Sequence, residues 1–163
     1  MKILNIEAPE FVYDAEDPEG FRAGMLRAGP LLDGRQLGAS VYELPPGQAI
    51  CPYHYEYGEE EWLLVLSGRP VLRHPGGEDA LEPWDLVAFP TGPDGAHAVR
   101  SDTAETVRVL MFSNVVLPTA TAYPDSGKIG VWTGHKDEDV MVRRTSAVGY
   151  YDGEVDSPGG GAQ

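Results

Sequence analysis

Short apolar runs, most of them ended by Pro, Gly or Ser, dominate the middle of the chain. The clearest runs cover residues 37–44, 61–66, 70–74, 85–89 and 107–112. Segments of this length, rich in β-branched and aromatic residues and separated by turn residues, are typical of strands. The 20 Gly and 14 Pro leave little room for a long helix between them. The pattern predicts an all-β sandwich or barrel over about residues 30–115.

The two ends of the chain follow the pattern less well. Residues 1–20 mix Pro, Glu and Asp with apolar residues, and we expect residues 1–29 to form an irregular N-terminal arm lying across the sheets. Asp33-Gly34 predicts a tight hairpin turn. Residues 116–151 are irregular but contain apolar residues to bury, so we expect an extension that packs on the barrel. The Gly- and Pro-rich residues 152–163 predict a disordered tail.

Charge and cysteine content exclude several classes of protein. The chain has 12 Lys and Arg against 26 Asp and Glu, a net charge of −14, so it would repel nucleic acids and anionic membranes. No run approaches the roughly 18 apolar residues of a membrane helix, and the first residues lack the hydrophobic block of a signal peptide. The single cysteine, Cys51, forbids an internal disulfide and fits a reducing compartment. These features predict a cytoplasmic protein.

Candidate chemistry is concentrated between residues 54 and 97. His54 and Glu56 are two apart, so in an extended chain they lie on one face, and Glu61 can join them after a turn at Tyr57-Gly58. His97 follows another turn-rich segment. Two imidazoles and two carboxylates are a donor set that can hold a divalent transition metal. Each group also has a structural explanation by itself, since single histidines are often buried structural residues and consecutive glutamates often form a solvated turn.

The spacing of these residues resembles the first motif of the cupin superfamily. In this chain the motif is Gly47, six residues, His54, one residue, Glu56, four residues, Glu61, six residues, Gly68. The superfamily motif has His-x-His, a glutamate and flanking glycines at these positions. Glu56 therefore stands where the motif has its second histidine.

A second stretch resembles the second cupin motif, which is a glycine, five residues, Pro-x-Gly, a short spacer and a histidine. Pro90-Thr91-Gly92 and His97 fit it, with two extra residues in the spacer. Trp84 replaces the leading glycine, so we expect that turn to lack a positive φ angle or to be reshaped. Within the superfamily the chain resembles small single-domain bacterial cupins, with a type-2 conserved barrel and no defined substrate.

The resemblance implies a double-stranded β-helix, or jelly roll, that binds a divalent transition metal through His54, Glu56, Glu61 and His97. A second carboxylate would favour Fe(II) or Mn(II), with Zn(II) and Ni(II) left open. Glu56 has two possible roles, as a ligand or as a catalytic base released from the metal. Spacing favours the ligand role, because His54 and Glu56 share a strand face.

Two functional hypotheses follow from the resemblance. In the first, the protein is a metal-dependent enzyme acting on a small organic molecule, with dioxygenase-type or isomerase/lyase chemistry. In the second, it is a non-catalytic module in which the metal only fixes a small-molecule ligand. A metal-free isomerase of the nucleotide-sugar type is disfavoured, because few basic residues lie near the motifs.

The strand at 61–66 is apolar on both faces. Trp62, Leu64 and Leu66 lie opposite Glu61, Leu63 and Val65, so a second layer must cover them. The N-terminal arm or a second subunit could supply that layer. Because dimers are common among cupins, we expect a homodimer.

Overall fold

Antiparallel strands account for nearly all the regular structure of this computed structural model, which describes residues 1–154. The predicted tail from residue 155 onward lies outside the described residues. The thirteen strands are β1 Val12–Tyr13, β2 Gly24–Arg27, β3 Leu37–Leu44, β4 Tyr55–Glu56, β5 Glu61–Ser67, β6 Val71–His74, β7 Gly77–Ala80, β8 Leu86–Phe89, β9 Ala98–Arg100, β10 Val107–Asn114, β11 Thr119–Tyr123, β12 Lys128–Trp132 and β13 Val140–Arg143. One helical turn, α1 (Ala28–Leu31), and four 3₁₀ turns, at Pro93–Gly95, Pro124–Ser126, Lys136–Glu138 and Arg144–Ser146, complete the described chain.

The strands form three antiparallel sheets. The largest has the order β1-β2-β3-β10-β5-β8, the second β13-β12-β11-β4, and the third β7-β6-β9. Strand β10 lies in the middle of the large sheet, paired along its whole length with β3 and with β5 on its other side. This confirms the predicted all-β architecture, including the β3 boundaries.

The core lies on the inner face of the large sheet. Leu63 and Val65 of β5 face Met111 and Val109 of β10, and both are fully buried. Leu44 and Val107 continue this layer, and Phe89, the last residue of β8, also belongs to it. Alternation along β5 puts Glu61 on the same face as Leu63 and Val65, as predicted. The first residue of β5 therefore carries a carboxylate to the end of an apolar core.

Residues 1–29, predicted to form an irregular arm, contain two short strands. Strand β2 pairs with β3, so residues 24–27 belong to the large sheet. The connection between them contains α1 and a turn in which Asp33 has a φ of 58°. It is longer than the tight hairpin that Asp33-Gly34 predicted, because the Ala28–Leu31 turn packs against β3 before the chain reverses.

The turn before β8 keeps a positive φ angle although it has no glycine at that position. Trp84 adopts a φ of 77°, and its N–H donates to the carbonyl of Val65 at 2.8 Å. The expectation that a non-glycine residue would remove the positive φ is wrong, because backbone hydrogen bonds to β5 hold the turn. The indole is 73% exposed.

The N-terminal segment partly covers the outer face of the large sheet. A cavity of about 620 Å³ separates Ile6 from Leu64, Leu66 and Leu110 of the sheet, and Trp84 lines one side of it. The carbonyl of Glu7 accepts a hydrogen bond from Arg108 at 3.1 Å. Trp62 and Phe112 stack on the same face, with ring centroids 6.0 Å apart. Among residues 1–154 no helix is long and apolar enough to cross a membrane.

Candidate metal centre

A two-stranded bridge brings His54 and His97 together. The N–H of His54 donates to the carbonyl of His97 at 3.1 Å, and the N–H of His97 donates to the carbonyl of His54 at 2.8 Å. Directly opposed residues of an antiparallel pair have neighbouring side chains, and here the ring centroids are 4.6 Å apart. Residues 43 positions apart in sequence thus become adjacent imidazoles.

Glu61 completes a three-residue cluster, which we call the triad, of His54, Glu61 and His97. Glu61 Oε2 lies 3.8 Å from Nε2 of His54 and 3.6 Å from Nε2 of His97. One donor atom from each residue lies within 4.8 Å of the other two. The three predicted residues could therefore hold one metal ion in common.

Backbone carbonyls orient both imidazoles by accepting hydrogen bonds from Nδ1, the ring nitrogen that points away from the triad. Nδ1 of His54 lies 3.0 Å from the carbonyl oxygen of Pro52, and Nδ1 of His97 lies 2.9 Å from that of Gly95. A carbonyl oxygen only accepts, so each Nδ1 carries a proton, and each ring in its neutral form presents its Nε2 lone pair to the triad. This is the tautomer that a metal requires.

The 3₁₀ turn Pro93–Gly95 supplies the carbonyl behind His97. A Cβ at Gly95 would lie 1.7 Å from the carbonyl oxygen of Pro90, so the turn can close only on a glycine. The extra residues that separate the second motif from the superfamily pattern fall in this turn. They aim the His97 ring without moving it out of the triad.

Two atoms of the triad lack hydrogen-bond partners. Within residues 1–154, Glu61 Oε2 and His97 Nε2 are buried without a partner. Leaving buried polar atoms unpaired costs about 1–3 kcal/mol each, and a cation between them would satisfy both. The donor set and its orphaned atoms therefore fit a divalent metal.

Electrostatics of the metal-free triad agree with this fit. Burial opposes protonation of His54, but Cys51 and the Glu61 carboxylate outweigh it and raise the pKa of His54. For Glu61, burial would raise the pKa, but the neighbouring rings of His54 and His97 outweigh it and lower the pKa. Burial and the charge of His54 lower the pKa of His97 to about 4.

Glu56 lies beside the triad and outside the group of converging donors. Its Oε1 is 3.8 Å from Nε2 of His54, but both of its oxygens accept from the hydroxyl of Thr121, at 2.8 and 2.6 Å. Burial, against the Thr121 hydrogen bond and the charge of His54, raises the pKa of Glu56 to about 7. The structure thus brings all four predicted residues to one place but separates Glu56 from the other three.

Several residues around the site were missed by sequence reasoning. Thr121 and Trp132 belong to the second sheet, and Trp132 Nε1 donates to Thr121 Oγ1 at 2.7 Å. Phe89 stacks on His97 with ring centroids 3.7 Å apart. The alternation of β8 could have identified Phe89, since it faces Glu61 across the β5–β8 pair. No local signal marks Thr121, because its place depends on the pairing of β11 with β4.

Cys51 lies at the back of His54. Its Sγ is 3.5 Å from Nδ1 of His54, on the side of the ring away from Glu61. Cys51 is half-buried.

Comparison with known proteins identifies the fold. The Cupin domain family model matches residues 40–113, which extend from within β3 almost to the end of β10 and contain the whole triad. A crystal structure from Acidithiobacillus ferrooxidans, provisionally described as a sugar phosphate isomerase, is 25% identical, with a TM-score of 0.73 over 79% of this chain and 81% of that one. A sugar phosphate isomerase of the cupin superfamily from Silicibacter pomeroyi is 21% identical, with a TM-score of 0.78 over 93% and 98% of the two chains.

A third similar structure is named as a conserved barrel domain protein. It is a Cupin 2 conserved barrel domain protein from Salinispora arenicola, 23% identical, with a TM-score of 0.50 over 69% of this chain and 87% of that one. No curated protein matches the chain at a significant level. The family match, the antiparallel barrel and the two motifs agree, and they identify residues 40–113 as a cupin domain.

Proposed function

We propose that this cupin is a metal-dependent enzyme that isomerises a small, oxygen-rich organic molecule by proton transfer. The observation that carries the proposal is a convergent triad with two unpaired buried atoms, next to a carboxylate that is not part of the triad. His54, Glu61 and His97 would hold a divalent metal. Glu56 would act as the base.

A metal in the triad would polarise a carbonyl or hydroxyl oxygen of the substrate. Three protein ligands leave coordination positions open for such oxygens. Glu56 Oε1 lies 3.8 Å from Nε2 of His54, where the carboxylate could take a proton from the hydroxyl-bearing carbon next to a carbonyl and return it to the carbonyl carbon, while the hydroxyl proton passes to the carbonyl oxygen. A pKa near 7 suits a base that must both take and return a proton at neutral pH.

The relative from Acidithiobacillus ferrooxidans supports isomerase chemistry, since its description names a sugar phosphate isomerase. Its 25% identity extends over 79% of this chain. The metal ion remains one of Fe(II), Mn(II), Ni(II) or Zn(II), because two imidazoles and one carboxylate accept all four.

The experiment for this proposal is proton exchange in D₂O, followed by NMR on a panel of aldoses, ketoses and their phosphates. Protein loaded with each metal should exchange the hydrogen next to the carbonyl with one class of substrate. Glu56→Gln should lower the exchange rate by about 10²–10⁴-fold while retaining the metal, because an amide cannot accept the proton. Exchange that proceeds equally well in Glu56→Gln would contradict the base role.

A second candidate, a dioxygenase, is favoured by one observation. Two histidines and one carboxylate with open positions are the ligand set of non-haem Fe(II) oxygenases, and the triad has this composition. Oxygen consumption by Fe(II)-loaded protein with diphenols or diketones, absent from Zn(II)-loaded protein, would favour this candidate. Ligand-induced stabilisation without exchange or oxygen uptake would favour the non-catalytic binding module.

We also propose that the protein is a cytoplasmic homodimer. The half-buried apolar residues on the outer face of β5 and β10, among them Trp62, Leu64 and Leu110, support a second layer beyond the N-terminal segment. Sedimentation should give twice the chain mass of 17.6 kDa, and Leu64→Glu should reduce it to the mass of one chain. A monomer at all concentrations would contradict the dimer.

A further inference from the structure

The hydrogen bonds around Glu56 form a chain with a fixed direction. The indole N–H of Trp132 can only donate, and it donates to Oγ1 of Thr121 at 2.7 Å. The hydroxyl proton of Thr121 is then left for Glu56, whose two oxygens lie 2.8 and 2.6 Å away. Trp132 thereby orients Thr121, and Thr121 orients the carboxylate.

Backbone pairing holds this chain in place. Thr121 of β11 is directly opposite Glu56 of β4, and the N–H of Tyr57 donates to the carbonyl of Ala120 at 2.9 Å. Thr121 is only 2% exposed, so water does not compete for its hydroxyl. The Trp132 indole crosses Gly130, where a Cβ would lie 2.8 Å from Trp132 Cζ2. The hydroxyl therefore has one arrangement available to it.

Glu56 is close enough to join the triad if it is released. Its Oε1 is 3.8 Å from Nε2 of His54, the same distance that separates Glu61 Oε2 from that nitrogen. Yet its oxygens point to Thr121 and do not converge with the other three donors. The position of one carboxylate thus decides between three and four protein ligands.

We propose that Thr121, oriented by Trp132, is a positioning residue that keeps Glu56 beside the metal and off it. Thr121 and Trp132 belong to the second sheet, so this sheet would determine whether Glu56 occupies a coordination position of the metal or remains available as a base. Thr121 and Trp132 lie beyond the family-matched residues 40–113, so the C-terminal extension supplies this control. The inference rests on the proposed function, in which the triad holds a metal.

Co(II) binding tests the proposal, because the visible absorption of Co(II) reports the number and type of its ligands. Thr121→Val keeps the shape of the side chain and removes the hydroxyl. We expect it to change the Co(II) spectrum towards a higher protein-ligand number and to tighten Co(II) binding by about tenfold, as outer hydrogen-bond partners affect affinity by such factors. Thr121→Ser restores the hydroxyl and should restore the spectrum.

The matched control removes the carboxylate. In the Glu56→Gln background, Thr121→Val should leave the Co(II) spectrum and affinity unchanged, because the released ligand is gone. Trp132→Phe removes only the indole N–H and should shift the spectrum in the direction of Thr121→Val by a smaller amount. If Thr121→Val does not fold, Trp132→Phe alone tests whether the hydrogen-bond chain positions Glu56.

The outcomes separate the inference from the function beneath it. If the unsubstituted protein binds Co(II) but Thr121→Val and Trp132→Phe leave its spectrum unchanged, Thr121 does not position Glu56 and only this inference fails. A spectral change that persists in the Glu56→Gln background also overturns it. If the unsubstituted protein binds no Co(II), the proposed function fails together with the inference.

Discussion

The triad and Glu56 are held in place by different means. His54 and His97 are oriented by the carbonyls of Pro52 and Gly95, on a backbone bridge that pairs the two histidines directly. Glu56 is oriented by a single hydroxyl from another sheet. Backbone contacts survive most substitutions around them, whereas a side-chain contact depends on one residue. The triad should therefore tolerate substitutions around it, whereas the position of the carboxylate beside it should be easier to change.

Removing one imidazole of the triad should cause the largest loss of metal affinity. His97→Ala leaves two donors, so metal affinity should fall by about 100-fold or more, beyond the range seen when outer partners are removed. Calorimetry or metal analysis of untagged protein measures this. His135→Ala changes an exposed histidine that is not among the converging donors, and this variant should bind metal as the unsubstituted protein does. Retention of metal by His97→Ala would show that the triad is not the metal site.

The second-largest effect on metal affinity is expected from a substitution at Gly95, whose carbonyl orients His97. Gly95→Ala puts a methyl group 1.7 Å from the Pro90 carbonyl oxygen, so the turn must open and the Gly95 carbonyl must leave His97 Nδ1. Metal affinity should fall by about 10–100-fold although every ligand is present. Gly149→Ala, which meets nothing within 4 Å, is the matched control. Equal affinity in both variants would contradict backbone orientation of His97.

The buried Glu56 should make stability depend on pH. Its pKa is raised from 4.5 to about 7 on folding, so between these values the folded state binds more protons than the unfolded state. Stability from this group is therefore present below the unfolded pKa and is lost as pH rises through the folded pKa.

Denaturation of metal-free protein measures this contribution. From about pH 5 to about pH 8 the free energy of unfolding should fall by roughly 2 kcal/mol more in the unsubstituted protein than in Glu56→Gln. Parallel pH profiles of the two proteins would contradict a raised pKa for Glu56.

The smallest effect is expected at Trp84, far from both parts of the site. Its φ of 77° is costly for a residue with a Cβ, so Trp84→Gly should raise the free energy of unfolding by about 0.5–1 kcal/mol. Trp84→Ala loses the same indole but keeps the Cβ, and should give no gain. A gain of equal size in both variants would assign the effect to the exposed indole instead of the backbone.

Sequence reasoning identified what depends on local pattern. The apolar alternation of β5 placed Glu61 on the face of Leu63 and Val65, and the motif spacing brought in His54 and His97. It did not identify the place of Glu56, because that depends on Thr121, which lies 65 residues away in sequence. The positive φ of Trp84 was also missed, since hydrogen bonds to β5 override the residue's own preference.

The central pairing of β3 with β10 has a consequence for how the protein reaches its native state. Leu44 pairs with Val107 and Leu37 with Asn114, so the middle of the sheet closes only after a long loop has been ordered. Chains dominated by such non-local pairs fold in about milliseconds to seconds, far more slowly than helical bundles. The histidines, 43 residues apart, meet only once that topology exists. A metal should therefore bind after the barrel has formed. We expect it to slow unfolding and to leave the folding rate nearly unchanged.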